Sequence, residues 1–211
     1  MSITKAELRR GRSGPQPHLW FGLLFIAIGW PISWLQLPPA LLRENAFLLL
    51  WVGYILTMDG LVHWRKGTSL LIRNRKAFIG LFLVSAVGWW VFEFFNRYLQ
   101  NWEYLGTGKM SVLKYAVVAT LHFTTVTPAI FETAELWSTT GFVQQFRGRR
   151  RVELTGTLLS NAIFFGVLAV VAVITVPRYA FPLVWLSVLL ILDPLNYLRE
   201  QPSLLAKLQK G

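Results

Sequence analysis

Six long apolar runs constrain this chain more than any other feature. They lie at roughly residues 19–37, 46–63, 77–96, 112–132, 155–176 and 179–198. About 20 apolar residues, rising 1.5 Å each, span the roughly 30 Å hydrocarbon core of a bilayer. Each run has that length and few charges interrupt it. The 54% hydrophobic content, with 10 Trp and 15 Phe, is gathered into these runs rather than dispersed as short amphipathic periods. The pattern predicts an all-α, polytopic integral membrane protein with six transmembrane helices. Pro31 and Pro128 fall inside runs, where neighbouring helices in a bundle tolerate kinks.

Charge then sets orientation. Sixteen Lys and Arg residues lie in the segment 1–18, the loops 64–76 and 137–154, and the tail after 198. Five, Arg43, Arg97, Lys109, Lys114 and Arg178, lie on the opposite side. The positive-inside rule puts both termini in the cytoplasm of an inner or plasma membrane, as an even number of spans requires. The net charge of +11 is therefore read as topology and attraction to anionic lipid headgroups, not as nucleic-acid binding. With no cysteine there is no disulfide framework, thiolate metal site or cysteine nucleophile. The organisation expected is a basic cytoplasmic tail (1–18), one membrane domain (19–198) and an amphipathic cytoplasmic tail (199–211).

An internal repeat refines this. Asp59, Leu61, Arg65, Ser69, Leu70, Leu71 and Arg73 recur at the same offsets as Asp193, Leu195, Arg199, Ser203, Leu204, Leu205 and Lys207. Glu132, Trp137, Gly141, Arg147 and Arg149 make a weaker third copy, with one residue inserted. The reading is three pseudo-repeated helical hairpins (19–63, 77–132 and 155–198) inserted in one orientation. Each ends on an acid and continues into a short basic amphipathic segment. Parallel repeats imply a pseudo-symmetry axis along the membrane normal. Ser69 and Ser203 suit N-caps of short interfacial helices, and Arg65 and Arg199 can reach their acids or lipid phosphate.

Ionisable residues inside spans are costly and are functional candidates by default. Asp59, Glu132 and Asp193, with Glu135 nearby, are candidate catalytic carboxylates if the hairpins bring them to one cavity. Clustered carboxylates can keep a proton and act as general acids. Glu93 is the fourth candidate. It lies in the aromatic stretch 88–106 with Trp89, Trp90, Asn96 and Trp102, an arrangement suited to an isoprenoid, a lipid or an amphipathic cation. The plainer reading of that stretch is an interfacial aromatic belt. His122, set among threonines, is a ligand-binding candidate, though such sets commonly serve interhelical hydrogen bonding. His63 and His122 differ too much in expected depth to share a haem, and no cofactor or metal is expected.

Three functional readings remain open. The first is a membrane protein, enzymatic or not, with an intramembrane acidic site handling a lipid or isoprenoid. The second is a non-catalytic subunit of a larger membrane complex, with a membrane-protein partner or a second copy of itself. The third is a proton- or cation-coupled transporter. No P-loop, HExxH, GxSxG or EF-hand pattern is present.

Overall fold

The computed structural model describes residues 14–35, 43–105, 107–141, 145 and 153–210. Arg147 and Arg149 of the weaker third copy, and the basic residues of the first thirteen positions, lie outside the described residues. Among the described residues the regular structure is helical: α1 (Pro17–Trp34), α2 (Ala46–Lys66), α3 (Leu70–Arg73), α4 (Arg75–Leu99), a 3-10 turn (Thr107–Lys109), α5 (Val112–Phe123), α6 (Val126–Ser138), α7 (Gly156–Thr175), α8 (Pro177–Leu198) and α9 (Leu204–Lys210). Five of these, α1, α2, α4, α7 and α8, are long and apolar enough to cross a membrane. They leave large apolar side chains such as Leu83, Val87, Phe164 and Leu192 exposed, a surface that water would not support but lipid would.

The sequence dictates many of the helix ends. Pro17 and Pro177 stand at helix starts, where a missing N–H costs nothing. Gly67 ends α2 with φ 79, a left-handed conformation that glycine adopts without strain, and its N–H bonds to the His63 carbonyl. Thr155 caps α7 through the Leu158 amide, and Ser111 caps α5 through the Lys114 amide.

The fourth apolar run is not one unbroken helix. It is interrupted at Thr124 and Thr125, leaving pieces of 12 and 13 residues, α5 and α6. The cause lies in the residues: Pro128 lacks an N–H and its ring crowds the carbonyl four residues back. The Thr124 and Thr125 hydroxyls turn back to the carbonyls of Leu121 and His122. Ser85 of α4, almost wholly buried, bridges the break. Its hydroxyl donates to the Phe123 carbonyl (2.5 Å) and accepts from the Thr127 amide (2.9 Å). The backbone groups freed by the break are thus satisfied by a neighbouring helix, as an apolar surrounding requires.

The chain divides into two compact units, Met1–Trp90 with Lys109–Gln144, and Val91–Gly108 with Gln145–Gly211. In unit one, α1 packs along α2, and α2 packs along α6. Ile55, Phe78 and Ala129 form its buried core, with Trp51, Tyr54, Leu70, Leu71 and Phe82 around them. In unit two, α7 packs along α8, with Gly166 against Ile191. Its core is Phe95, Leu99, Val173, Ala180 and Val184.

Candidate functional site

The most polar buried region of the described residues gathers at the C-terminal end of α2. Asp59 has no exposed surface. Its Oδ1 accepts the Leu71 amide (2.9 Å) and its Oδ2 accepts the Ser69 hydroxyl (2.6 Å). The donors belong to the first turn of α3. A short helix that follows α2 is therefore capped by an acid ten residues upstream, and the first-turn amide that would otherwise be an orphan is paired. Ser69 stands at the N-cap position, but its hydroxyl serves Asp59 and makes no cap bond of its own. From α1, His18 Nε2 approaches Asp59 Oδ2 to 2.9 Å, an ion-pair distance without the alignment of a hydrogen bond.

Asp193, in unit two, has the same task at the end of α8. Its two oxygens accept the amides of Leu204 (2.7 Å) and Leu205 (3.0 Å), while Ser203 accepts from Ala206 (3.0 Å). Three successive first-turn amides of α9 are paired in this way. In both units the carboxylates accept from backbone amides rather than from Arg65 or Arg199. The reach from acid to arginine suggested by spacing is replaced by a cap, because a carboxylate at a helix N-terminus meets fixed donors and the positive end of the dipole.

Glu132 of α6 is also in unit one. It has no exposed surface, and neither carboxyl oxygen has a hydrogen-bond donor. It shares the inward face of α6 with Pro128 and Ala129. The Asp59 carboxylate lies within electrostatic reach of it, as do Glu135 and Arg73. Asp59 and Glu132 are therefore buried in the same unit, and Asp193, in the other, is engaged with α9.

One turn further along α6, Glu135 ties α3 to α6. Arg73 donates to both of its oxygens (2.6 and 2.7 Å), and Lys66 adds a third bond (3.0 Å). Burial acts to raise the Glu135 carboxyl, but the bonds from Arg73 and Lys66 outweigh it and hold the group below its usual range. The same pairing raises the Arg73 guanidinium. A depressed carboxylate contributes stability above its unfolded value and loses it as pH falls through its folded value. Glu135→Gln is thus expected to lower the melting temperature at neutral pH. With Arg73 partly exposed, the cost is on the order of 1 kcal/mol or less. The wild-type and variant melting curves should converge in acid; a gap that persists there would disprove this role.

Beside these groups runs an apolar groove of about 780 Å³. It is lined by Ile26, Trp30, Leu50, Trp51, Tyr54, Ala129, Ile130, Thr133, Ala134 and Trp137. The Tyr54 and Thr133 hydroxyls meet on its wall (2.7 Å). Neither the groove nor His18 stood out in the sequence. The groove residues come from three helices, and nothing in their spacing signals that they meet.

The aromatic stretch 88–106 divides between the units. In unit one Trp89 packs tilted and Trp90 edge-on against Phe123, and Trp90 Nε1 donates to Thr120 Oγ1 (3.0 Å). His122, also in unit one, packs its ring on Phe47, and its buried Nε2 has no hydrogen-bond partner. In unit two, Glu93 Oε2 accepts Trp102 Nε1 (3.2 Å) and the Tyr104 hydroxyl (3.1 Å). Asn96 clamps the following turn: its Oδ1 accepts the amides of Asn101 and Trp102, and its Nδ2 donates to the Trp102 carbonyl. Glu93 and Asn96 thereby fold residues 100–104 back onto the end of α4. A polar pocket of about 610 Å³ lies there, lined by Asn96, Gln100, Asn101, Trp102 and Glu103.

Among the described residues no group of three or more His, Asp or Glu is placed to hold a metal ion. The site and fold define a helical protein with several helices suited to a bilayer. No known protein family matches the chain, and comparisons with curated proteins and with solved structures find no match.

Proposed function

We propose that this is a multi-pass membrane protein whose unit one handles the apolar chain of a lipid or isoprenoid. The observation that carries the reading is the groove of α1, α2 and α6. Its lining is aliphatic and aromatic apart from one hydroxyl pair, and two of its three helices are themselves apolar enough to cross a membrane. A concavity of this kind takes up a hydrocarbon chain in preference to water, because filling it removes apolar area from weaker contact. Trp30, Trp51 and Trp137 supply large rigid surfaces for that chain.

The proposed topology has six crossings, the fourth being the kinked run 112–132, which leaves Glu135 beyond its cytoplasmic end, and both termini are cytoplasmic. Asp59 and Asp193 then mark the cytoplasmic ends of two equivalent hairpins. Their matching caps, from Leu71 and Leu205 twelve residues on, support true repetition. The short helices α3 and α9 lie in the cytoplasmic interface, where Arg65 and Arg199 meet anionic headgroups.

Ala134 is exposed on the groove face of α6, and tryptophan there fills the groove without disturbing a buried contact. Purified wild-type protein is expected to retain an amphiphile detectable by native mass spectrometry. Ala134→Trp should reduce that retention by about tenfold, the equivalent of 1.4 kcal/mol. Equal retention by a folded variant would remove the groove from the function.

A further inference from the structure

We propose that Glu132 and Asp59 form a proton-binding site within unit one, sharing one proton carried by Glu132 and exchanged with the aqueous phase through His18. This rests on the membrane placement above but not on what the groove holds.

The argument begins with donor counting. An ionised carboxylate only accepts hydrogen bonds, and each oxygen has two lone pairs. Asp59 receives the Leu71 amide on one oxygen and the Ser69 hydroxyl on the other, which leaves acceptor capacity on both. Glu132 has no exposed surface and receives no donor at all. A charged carboxylate left bare inside an apolar unit is far too costly to persist. Arg73, the nearest cation on α3, is committed to both oxygens of Glu135.

The packing of α2 along α6 brings the two acids together: the Tyr54 and Thr133 hydroxyls meet across the two helices at 2.7 Å, and α3 binds Asp59 through Leu71 and Glu135, one turn from Glu132, through Arg73. With the proton on Glu132, its hydroxyl donates to Asp59, and the orphaned group and the spare lone pair satisfy each other. Two neighbouring carboxyls sharing one proton is the general solution to this crowding. Asp59 has fixed donors and Glu132 has none, so Glu132 is the member that holds it.

The groups facing the pair are few. Asp59 meets His18 from α1, and His63 of α2 stands near that histidine. Arg73 of α3 and Glu135 of α6 complete the field around Glu132. Asp59, Glu132 and Ser69 have no exposed surface and His63 is 5% exposed, whereas the His18 side chain is 14% exposed. His18 is therefore the member of the set through which water-borne protons reach the pair. An imidazole has two ring nitrogens and can accept a proton on one while releasing it from the other.

Infrared spectroscopy of the purified protein tests the site directly. At neutral pH the wild type is expected to show a protonated carboxyl C=O band that shifts in D₂O, fades as pH rises, and is lost in Glu132→Gln. His18→Phe should keep the band but slow its deuterium shift. Modification of the wild type with a hydrophobic carbodiimide, mapped by peptide mass, should label Glu132 and spare Glu135, and needs no variant to fold. An acid band identical in wild type and Glu132→Gln, a Glu132 that stays unlabelled while the band persists, or a band that sodium ions abolish at fixed pH would each overturn the proposal. None of these outcomes depends on the amphiphile retention measured for Ala134→Trp.

Discussion

Asp59→Ala is expected to destabilise the protein by several kcal/mol. The change leaves the Ser69 hydroxyl and the Leu71 amide without an acceptor, and removes the carboxylate that His18 approaches. Each buried donor left unpaired costs about 1–3 kcal/mol, and these losses fall on one cluster. The helix α3 should lose its anchor, since four residues cannot hold a helix by their own hydrogen bonds. Thermal melting in detergent would show the loss, and hydrogen exchange would show the Leu71 amide deprotected. Asp193→Ala should cost less, because the Leu204 amide it caps is exposed and Ser203 still holds Ala206. A melting curve for Asp59→Ala that overlays the wild type would show that the cap contributes nothing.

Gly22→Leu is expected to separate α1 from α2. A Cβ at Gly22 would stand 2.6 Å from the Thr57 backbone nitrogen and 2.7 Å from the Gly53 carbonyl. Backbone atoms cannot rotate aside as the end of a side chain can. Overpacking a well-filled interface costs about 1–3 kcal/mol for small additions, and a leucine adds four carbons where there is no room for one. Close approach through small residues is the usual means of holding helices together in lipid, where the hydrophobic effect between them is absent. Gly80 and Gly88 of α4 provide the contrast: a Cβ at either meets nothing within 4 Å. Alanine at those positions should be neutral or slightly stabilising, by up to about 1 kcal/mol, because it restricts the unfolded chain. If Gly22→Leu melts like Gly80→Ala, the hairpin does not depend on this contact.

Several elements were legible because they depend only on local composition. The apolar runs at 19–37, 46–63, 77–96, 155–176 and 179–198 coincide with α1, α2, α4, α7 and α8 to within a few residues. The short helices after Asp59 and Asp193 followed from Leu pairs and a basic residue behind a serine. The interruption at Thr124 and Thr125 was hinted at by Pro128, but its placement depends on Ser85, thirty-eight residues before Phe123 in the chain.

The acids illustrate the boundary. Their offsets within the chain place Asp59 and Asp193 before segments of similar residue pattern. What each carboxylate binds is a question of distances between helices, and the spacing in the chain pointed to Arg65 and Arg199. Only the packed structure selects the amides of α3 and α9, and only it sets Glu132 beside Asp59 while leaving Glu135 to Arg73. The reason is physical. Apolar runs and turn residues act through nearest neighbours along the chain, so a sequence determines which segments form long apolar helices and where they stop. A buried carboxyl is governed by the few donors within about 3 Å of it, and those arrive from α1, α3 and α6 only when the helices have packed.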